Sequence, residues 1–192
     1  MIKTKNIAIF ASGSGSNAEN IVKYFENSGL GRVKVIMCNV VDAYVLVRAK
    51  NLGVPTMVFS RDDFYNSSKI IDKLQDENID FIVLAGFLWL VPQNIINLYQ
   101  DKIINIHPAL LPNYGGKGMY GSNVHKAVIA DGNKESGITI HYVTEKYDDG
   151  NIIFQAKCAI ESGDTLETLA QKIHDLEHNH FPAVIESLLK NI

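Results

Sequence analysis

Ile7-Ala8-Ile9-Phe10-Ala11-Ser12-Gly13-Ser14-Gly15-Ser16-Asn17-Ala18 is the stretch that decides the fold. Its apolar start reads as a strand buried on both faces, and the Gly/Ser loop over 12–17 then turns the chain into a helix over 18–25. The same alternation recurs downstream. Strands are predicted over 33–38, 55–59, 81–85 and 103–107. Helices are predicted over 43–51 and from Ser60 to about residue 77, where Ser60 and Asp63 have loose capping-box spacing, and a short helix is opened by Pro92. Continuous apolar strands separated by helices imply an open, mostly parallel, twisted sheet with helices on both faces, an α/β fold.

The pattern changes after residue 107. Residues 108–121 form a long loop holding four glycines and two prolines, and a helix is expected over 122–130. Strands over 137–143 and 152–158, joined by an acidic turn, read as an antiparallel C-terminal addition. Asp164 and Glu167 mark the start of a long last helix that Pro182 is expected to interrupt.

The chain has 192 residues, 46% hydrophobic and 20% charged, which suits one domain over 1–192. A net charge of −3 argues against a general nucleic-acid binder. Cys38 and Cys158 are the only cysteines and have no CxxC spacing, which fits a reducing, cytoplasmic setting. The first strand begins too early to leave room for a signal peptide. The longest apolar run, over 81–91, contains Gly86 and is too short to span a bilayer, so no membrane association is expected.

Chemistry concentrates in Asn105-Ile106-His107-Pro108-Ala109-Leu110-Leu111-Pro112. Residues two apart on a strand share a face, so Asn105 and His107 point one way while Ile104 and Ile106 pack the other. Pro108 ends the ladder and leaves the pair at the strand's edge. An amide that donates and an imidazole that carries a proton then share one opening, as a reaction that forms an oxyanion and moves a proton requires. Alone, the pair reads first as a strand-end histidine bonded to a carbonyl, and its company along the chain is what favours the chemical reading.

Ser12 to Ala18 also matches G-x-G-x-x-A, but Cys38-Asn39 stand where a dinucleotide site needs a ribose-binding carboxylate. No Gly-Lys-Ser/Thr follows, which excludes a Walker loop. The remaining readings are a phosphomonoester site at a helix N-terminus and a tight turn without a ligand. In the acidic turn Tyr147-Asp148-Asp149-Gly150, Asp-Gly is ordinary hairpin chemistry, or one aspartate orients and charges His107. His174-Asp175-Leu176-Glu177-His178 matches the zinc-peptidase pattern H-x-x-E-H, yet no distant third ligand stands out. A polar helix face, or a His174–Glu177 pair reaching a polar ligand, accounts for it equally.

Taken in order, these motifs resemble the phosphoribosylglycinamide formyltransferases, folate-dependent enzymes of purine synthesis with a Rossmann-like formyltransferase fold. The resemblance spans nearly the whole chain: the S-G-x-G-S-N loop, L-A-G-F at 84–87, N-I-H-P-x-L-L-P at 105–112, H-x-V-T at 141–144, D-x-G-x-I at 148–152, and the glutamate of the last helix. It implies formyl transfer from 10-formyltetrahydrofolate, the co-substrate, to the amine of glycinamide ribonucleotide, without metal, by a monomer or homodimer. Asn105, His107 and Asp148 would then be catalytic, with Asp148 keeping His107 charged. Gly15, Ser16 and Asn17 would hold the phosphate, and His174 and Glu177 would meet the ribose-phosphate. Leu88, Trp89, Leu90 and Val91, with Thr144, Glu145, Lys146 and Tyr147, would border the folate, and Arg61 is the candidate for its tail. The sequence departs from the family's usual pattern in the glycine-rich loop over 113–121 and at Asp149 and Asn151, where Gly and Pro are common. Methionyl-tRNA formyltransferases and formyltetrahydrofolate hydrolases share the central motif, but each normally carries a further domain. A non-catalytic nucleotide-binding module and a zinc hydrolase are the readings from other classes.

Overall fold

The computed structural model describes residues 4–192. The first strand, β1 (Lys5–Ala11), divides its apolar residues between two cores. Ile7 and Ile9 face one side of the sheet, and Ala8 and Phe10 face the other. It lies between β2 (Gly31–Cys38) and β4 (Phe81–Leu84), parallel to both. With β3 (Thr56–Val58) at one edge and β5 (Ile103–His107) beyond β4, the parallel part of the sheet is complete. The antiparallel β6 (Glu135–Tyr142) and β7 (Ile152–Ala159) extend it to seven strands in the order β3-β2-β1-β4-β5-β6-β7. The order reverses between β1 and β4, and open α/β sheets bind ligands at the strand ends beside such a point.

One face is covered by α1 (Ser16–Ser28), α2 (Tyr44–Asn51), α6 (Ser122–Ala130) and α7 (Leu166–Leu189). The other carries α3 (Arg61–Tyr65), α4 (Lys69–Asp76) and α5 (Gln93–Leu98). Phe10, Phe64, Phe81 and Phe181 are fully buried between these layers, and each such side chain contributes about 1.5–3 kcal/mol of burial free energy.

Three expectations are corrected. The helix predicted from Ser60 to about residue 77 is two helices. Ser60 and Asp63 do form the capping box, but Asn66-Ser67-Ser68 breaks the chain. The Ser67 hydroxyl donates to the Asp63 carbonyl and that of Ser68 to Asp72, local bonds that compete with a continuous helix. Pro182 does not interrupt α7. A proline leaves the carbonyl four residues back without its helical donor. Here that carbonyl, of His178, accepts a 2.8 Å hydrogen bond from Asn20 Nδ2 on α1, so the helix continues. Finally, α7 starts on a Thr165–Thr168 capping box rather than on Asp164 and Glu167, and Asp164 pairs with Lys172 at 2.6 Å.

Candidate active site

The C-terminal ends of β1, β4 and β5 open into a cleft of about 1040 Å³. Asn105 and His107 both project into it from β5, and the antiparallel register places His141 directly opposite Asn105. Asn105 Nδ2 lies 3.1 Å from His141 Nε2, and His141 Nδ1 lies 2.8 Å from the Tyr142 carbonyl. A carbonyl only accepts, so Nδ1 carries a hydrogen, and Nε2 is left facing the Asn105 amide.

Asp148 arrives from the turn between β6 and β7. Its Oδ1 lies 3.5 Å from His107 Nδ1, 3.6 Å from His141 Nε2 and 3.5 Å from Asn105 Nδ2, while Oδ2 accepts the Gly116 N–H at 2.9 Å. Two backbone features set this register. Asp148 has φ 54°, a left-handed conformation that Asp tolerates better than most residues. A Cβ on Gly150 would sit 1.7 Å from the Tyr142 carbonyl oxygen, so only glycine fits there. Asp149 points out to solvent, 3.7 Å from Lys146.

Burial pushes the Asp148 carboxyl up, but the His141 contact, the His107 ring and the Gly116 N–H together outweigh it and hold it below the usual carboxylate value. For His107 the balance runs the other way. Burial pulls its value down further than Asp148 raises it. Asp148 and the Tyr114 carbonyl favour the charged ring expected from sequence, and burial opposes it. The His107 Nε2–H is donated to the Tyr114 carbonyl at 2.8 Å, so a neutral ring turns the Nδ1 lone pair toward Asp148.

At the other end of the cleft the 12–17 loop meets α7. Gly15, with φ 75°, is the N-cap of α1, and no side chain caps that helix. A Cβ on Gly15 would lie 2.4 Å from Val45, so the loop and α2 are in direct contact. His174 Nε2 is 2.9 Å from Ser16 Oγ, and Asn17 Nδ2 donates to Glu177 at 2.8 Å. Asn17 Oδ1 and His178 Nε2 are buried without partners. Uncapped helix N–H groups beside unpartnered polar atoms suit an anionic, hydroxyl-bearing ligand.

The formyl transferase family matches residues 5–185, nearly all of this architecture. The chain belongs to the formyl transferase family. It is 38% identical to the phosphoribosylglycinamide formyltransferase of Bacillus subtilis (strain 168), over 96% of this chain and 95% of that protein. It is 40% identical to the chloroplastic phosphoribosylglycinamide formyltransferase of Vigna unguiculata over 97% of this chain, but spans only 62% of that longer protein. It spans 66% of the Arabidopsis thaliana relative. Among solved structures, glycinamide ribonucleotide transformylase 1 from Geobacillus kaustophilus superposes with a TM-score of 0.88 at 37% identity, over 97% of this chain and all of that one.

In this member of the family the wall opposite the loop is apolar. Leu88, Trp89 and Leu90 line the cleft with Thr144, Lys146 and Tyr147, and Arg61 lies over Trp89 at 5.5 Å from the ring centroid. Two residues expected on this wall are elsewhere. Val91 is buried in the core beneath α3 and α5, and Glu145 is exposed outside the cleft. His141 is the site residue that received no role from sequence. Its signal was the H-x-V-T motif, whose partner becomes visible only when β6 pairs with β5.

His174 and His178 lie on one face of α7, with ring centroids 4.0 Å apart and planes inclined by 52°. Among the described residues no cluster of three or more His, Cys, Asp or Glu has the geometry to hold a metal ion. Glu177 behaves differently from both histidines' solvated neighbours. Burial raises its carboxyl to about 7, against the Asn17 hydrogen bond that lowers it. The folded protein thus holds this proton more tightly than the unfolded chain, whose ordinary value is 4.5. Stability is highest below that value, falls as pH rises toward 7, and stays low above it. Glu177→Gln removes the loss while keeping an acceptor for Asn17. Thermal melts should show the variant more stable than wild type near pH 8 and equal to it near pH 4; equal melting temperatures at both would contradict the assignment.

Proposed function

We propose that this chain transfers the formyl group of 10-formyltetrahydrofolate to the amine of glycinamide ribonucleotide, a step of de novo purine synthesis. The observation that carries the reading is the single cleft in which Asn105, His107 and Asp148 converge between an anion-suited loop and an apolar wall. Family membership and the full-length likeness to bacterial phosphoribosylglycinamide formyltransferases support the same acceptor.

In this reading the phosphate rests on Gly15, Ser16 and Asn17, and Glu177 accepts from the ribose hydroxyls with His174 beside it. The pterin lies against Leu88, Trp89, Leu90 and the turn over 144–147. Arg61, already beside an aromatic ring, meets the acidic folate tail. Attack of the amine nitrogen on the formyl carbon forms a C–N bond and moves an electron pair onto the formyl oxygen. Asn105 Nδ2 donates to that oxygen. Neutral His107 takes a proton from the attacking nitrogen, directly or through water, and Asp148 stabilises the imidazolium that forms. Collapse breaks the bond to the folate nitrogen, which receives the proton from His107. Every step is proton transfer or hydrogen bonding by side chains, so no metal is needed.

Because the ring must be neutral to act as base, kcat/KM should fall on the acid side with a midpoint below the ordinary histidine value of 6.5. Asp148, held below the ordinary 3.8, adds no limb in that range. A pH–rate profile checks both; activity that instead falls as pH rises through the histidine range would mean that His107 works charged.

The reading takes residues 1–192 as one formyltransferase domain that acts on small molecules as a monomer or homodimer in the cytoplasm. Two unpaired cysteines accord with a reducing compartment, and among the described residues no helix is long and apolar enough to cross a membrane. The deciding experiment is a turnover assay with 10-formyltetrahydrofolate and glycinamide ribonucleotide. Formylation of the ribonucleotide is expected. Formylation of methionyl-tRNA instead, or release of formate with no acceptor, would replace this reading by one of the related folate enzymes.

A further inference from the structure

Arg48 has no place in the motifs described so far. It sits on α2 and lines the cleft beside Gly13, Ser14 and Gly15. Its Nε donates to the Ser14 carbonyl at 2.9 Å, and one turn earlier the Val45 N–H donates to the Gly13 carbonyl at 3.1 Å. In a planar trans peptide the N–H points opposite to the C=O. With the Gly13 and Ser14 carbonyls held toward α2, the N–H groups of Ser14 and Gly15 point away from it. The guanidinium then pairs with Glu19 in the first turn of α1 and stacks on Tyr44, 5.0 Å from the ring centroid.

The charge balance asks for such a residue. A phosphate monoester carries close to two negative charges near neutral pH. A helix N-terminus offers about half a positive charge. Glu19 adds negative charge nearby. Arg61, Lys117 and Lys146 also line the cleft, but none of them bonds to the 12–17 loop in the described contacts.

Resting on the phosphate reading of that loop, we propose that Arg48 is the cation of the phosphate subsite: it orients the loop amides through Ser14 and exchanges Glu19 for the phosphate when the substrate arrives. Glu19 is then a stand-in anion that keeps the guanidinium in place while the subsite is empty.

Three variants test this: Arg48→Met, Arg48→Lys and Glu19→Gln. Binding of inorganic phosphate is followed by calorimetry, alongside steady-state kinetics. Arg48→Met should raise the phosphate Kd and the KM for glycinamide ribonucleotide by roughly 10- to 100-fold, the range for a lost charged hydrogen bond. Its kcat and its KM for the folate donor should hold within about threefold. Arg48→Lys keeps the charge without the planar fork and should recover part of the loss. Glu19→Gln removes the competing anion and should tighten phosphate about fivefold.

An unchanged phosphate Kd in a folded Arg48→Met protein overturns the proposal. So does weaker phosphate binding in Glu19→Gln, which would make the pair merely structural. If Arg48→Met does not fold, Arg48→Lys and Glu19→Gln still decide it. Calorimetry with phosphate needs no turnover. A protein that binds phosphate through Arg48 yet never formylates glycinamide ribonucleotide would overturn the proposed acceptor and leave this inference standing.

Discussion

Asp148→Asn is expected to lower single-turnover formyl transfer by roughly 10⁴-fold, the cost of neutralising a carboxylate that orients a catalytic histidine in the serine-protease case. The fold should survive. Asn tolerates the left-handed backbone that Asp148 adopts at φ 54°, and its side-chain oxygen still accepts the Gly116 N–H. What disappears is the negative charge 3.5 Å from His107 Nδ1 that stabilises the imidazolium formed as the amine loses its proton. Asp149→Asn is the control. Asp149 is exposed and paired only with Lys146, so its loss should change stability by about half a kcal/mol at most and rate less than twofold. Rapid-quench measurement of both variants decides the matter, and a greater loss from Asp149→Asn would transfer the catalytic role to the neighbouring residue.

Asn105→Ala comes next in size. Removing one donor to a developing oxyanion costs about 10²–10³ in kcat. The KM for glycinamide ribonucleotide should change little, because the proposed phosphate and ribose contacts lie at the far end of the cleft. The shape-preserving Asn105→Asp should be at least as damaging, since it replaces a donor by a charge beside Asp148. Steady-state kinetics on the two variants separate the effects. A loss confined to KM, with kcat kept within tenfold, would make Asn105 a binding residue and leave the oxyanion without its donor.

Much of this could be read before any coordinates. The apolar runs at Ile7, Val33, Phe81 and Ile103 announce parallel strands because both faces of each are covered, and the observed cores divide those runs as the two-residue repeat requires. Asn105 and His107 were legible as side chains of the right type at strand-end spacing, and the family resemblance singled out Asp148 in the acidic turn. Other features were not, for physical reasons. His107 is bonded to a carbonyl and Asp148 to an N–H, and backbone groups have no letter in a sequence. Arg48 reaches Ser14 across 34 positions, so its spacing carries no motif. Pro182 looks like a helix breaker until Asn20 supplies the missing donor from another helix. A carboxylate near His107 is visible in sequence, whereas the depth of burial that opposes a charge on its ring is not.

Two main-chain groups of the 113–121 loop reach His107 and Asp148: the Tyr114 carbonyl accepts from His107 and the Gly116 N–H donates to Asp148. In the proposed mechanism both partners belong to the pair that handles the proton. The loop is therefore wired to the chemistry through its own main chain, and the Gly116 amide proton rests directly on the charge that changes partners during the reaction. A single backbone resonance in nitrogen-labelled protein becomes an internal gauge of the Asp148 carboxylate. It can be followed through ligand addition and acid titration without a dye, a tag or a substitution anywhere in the cleft.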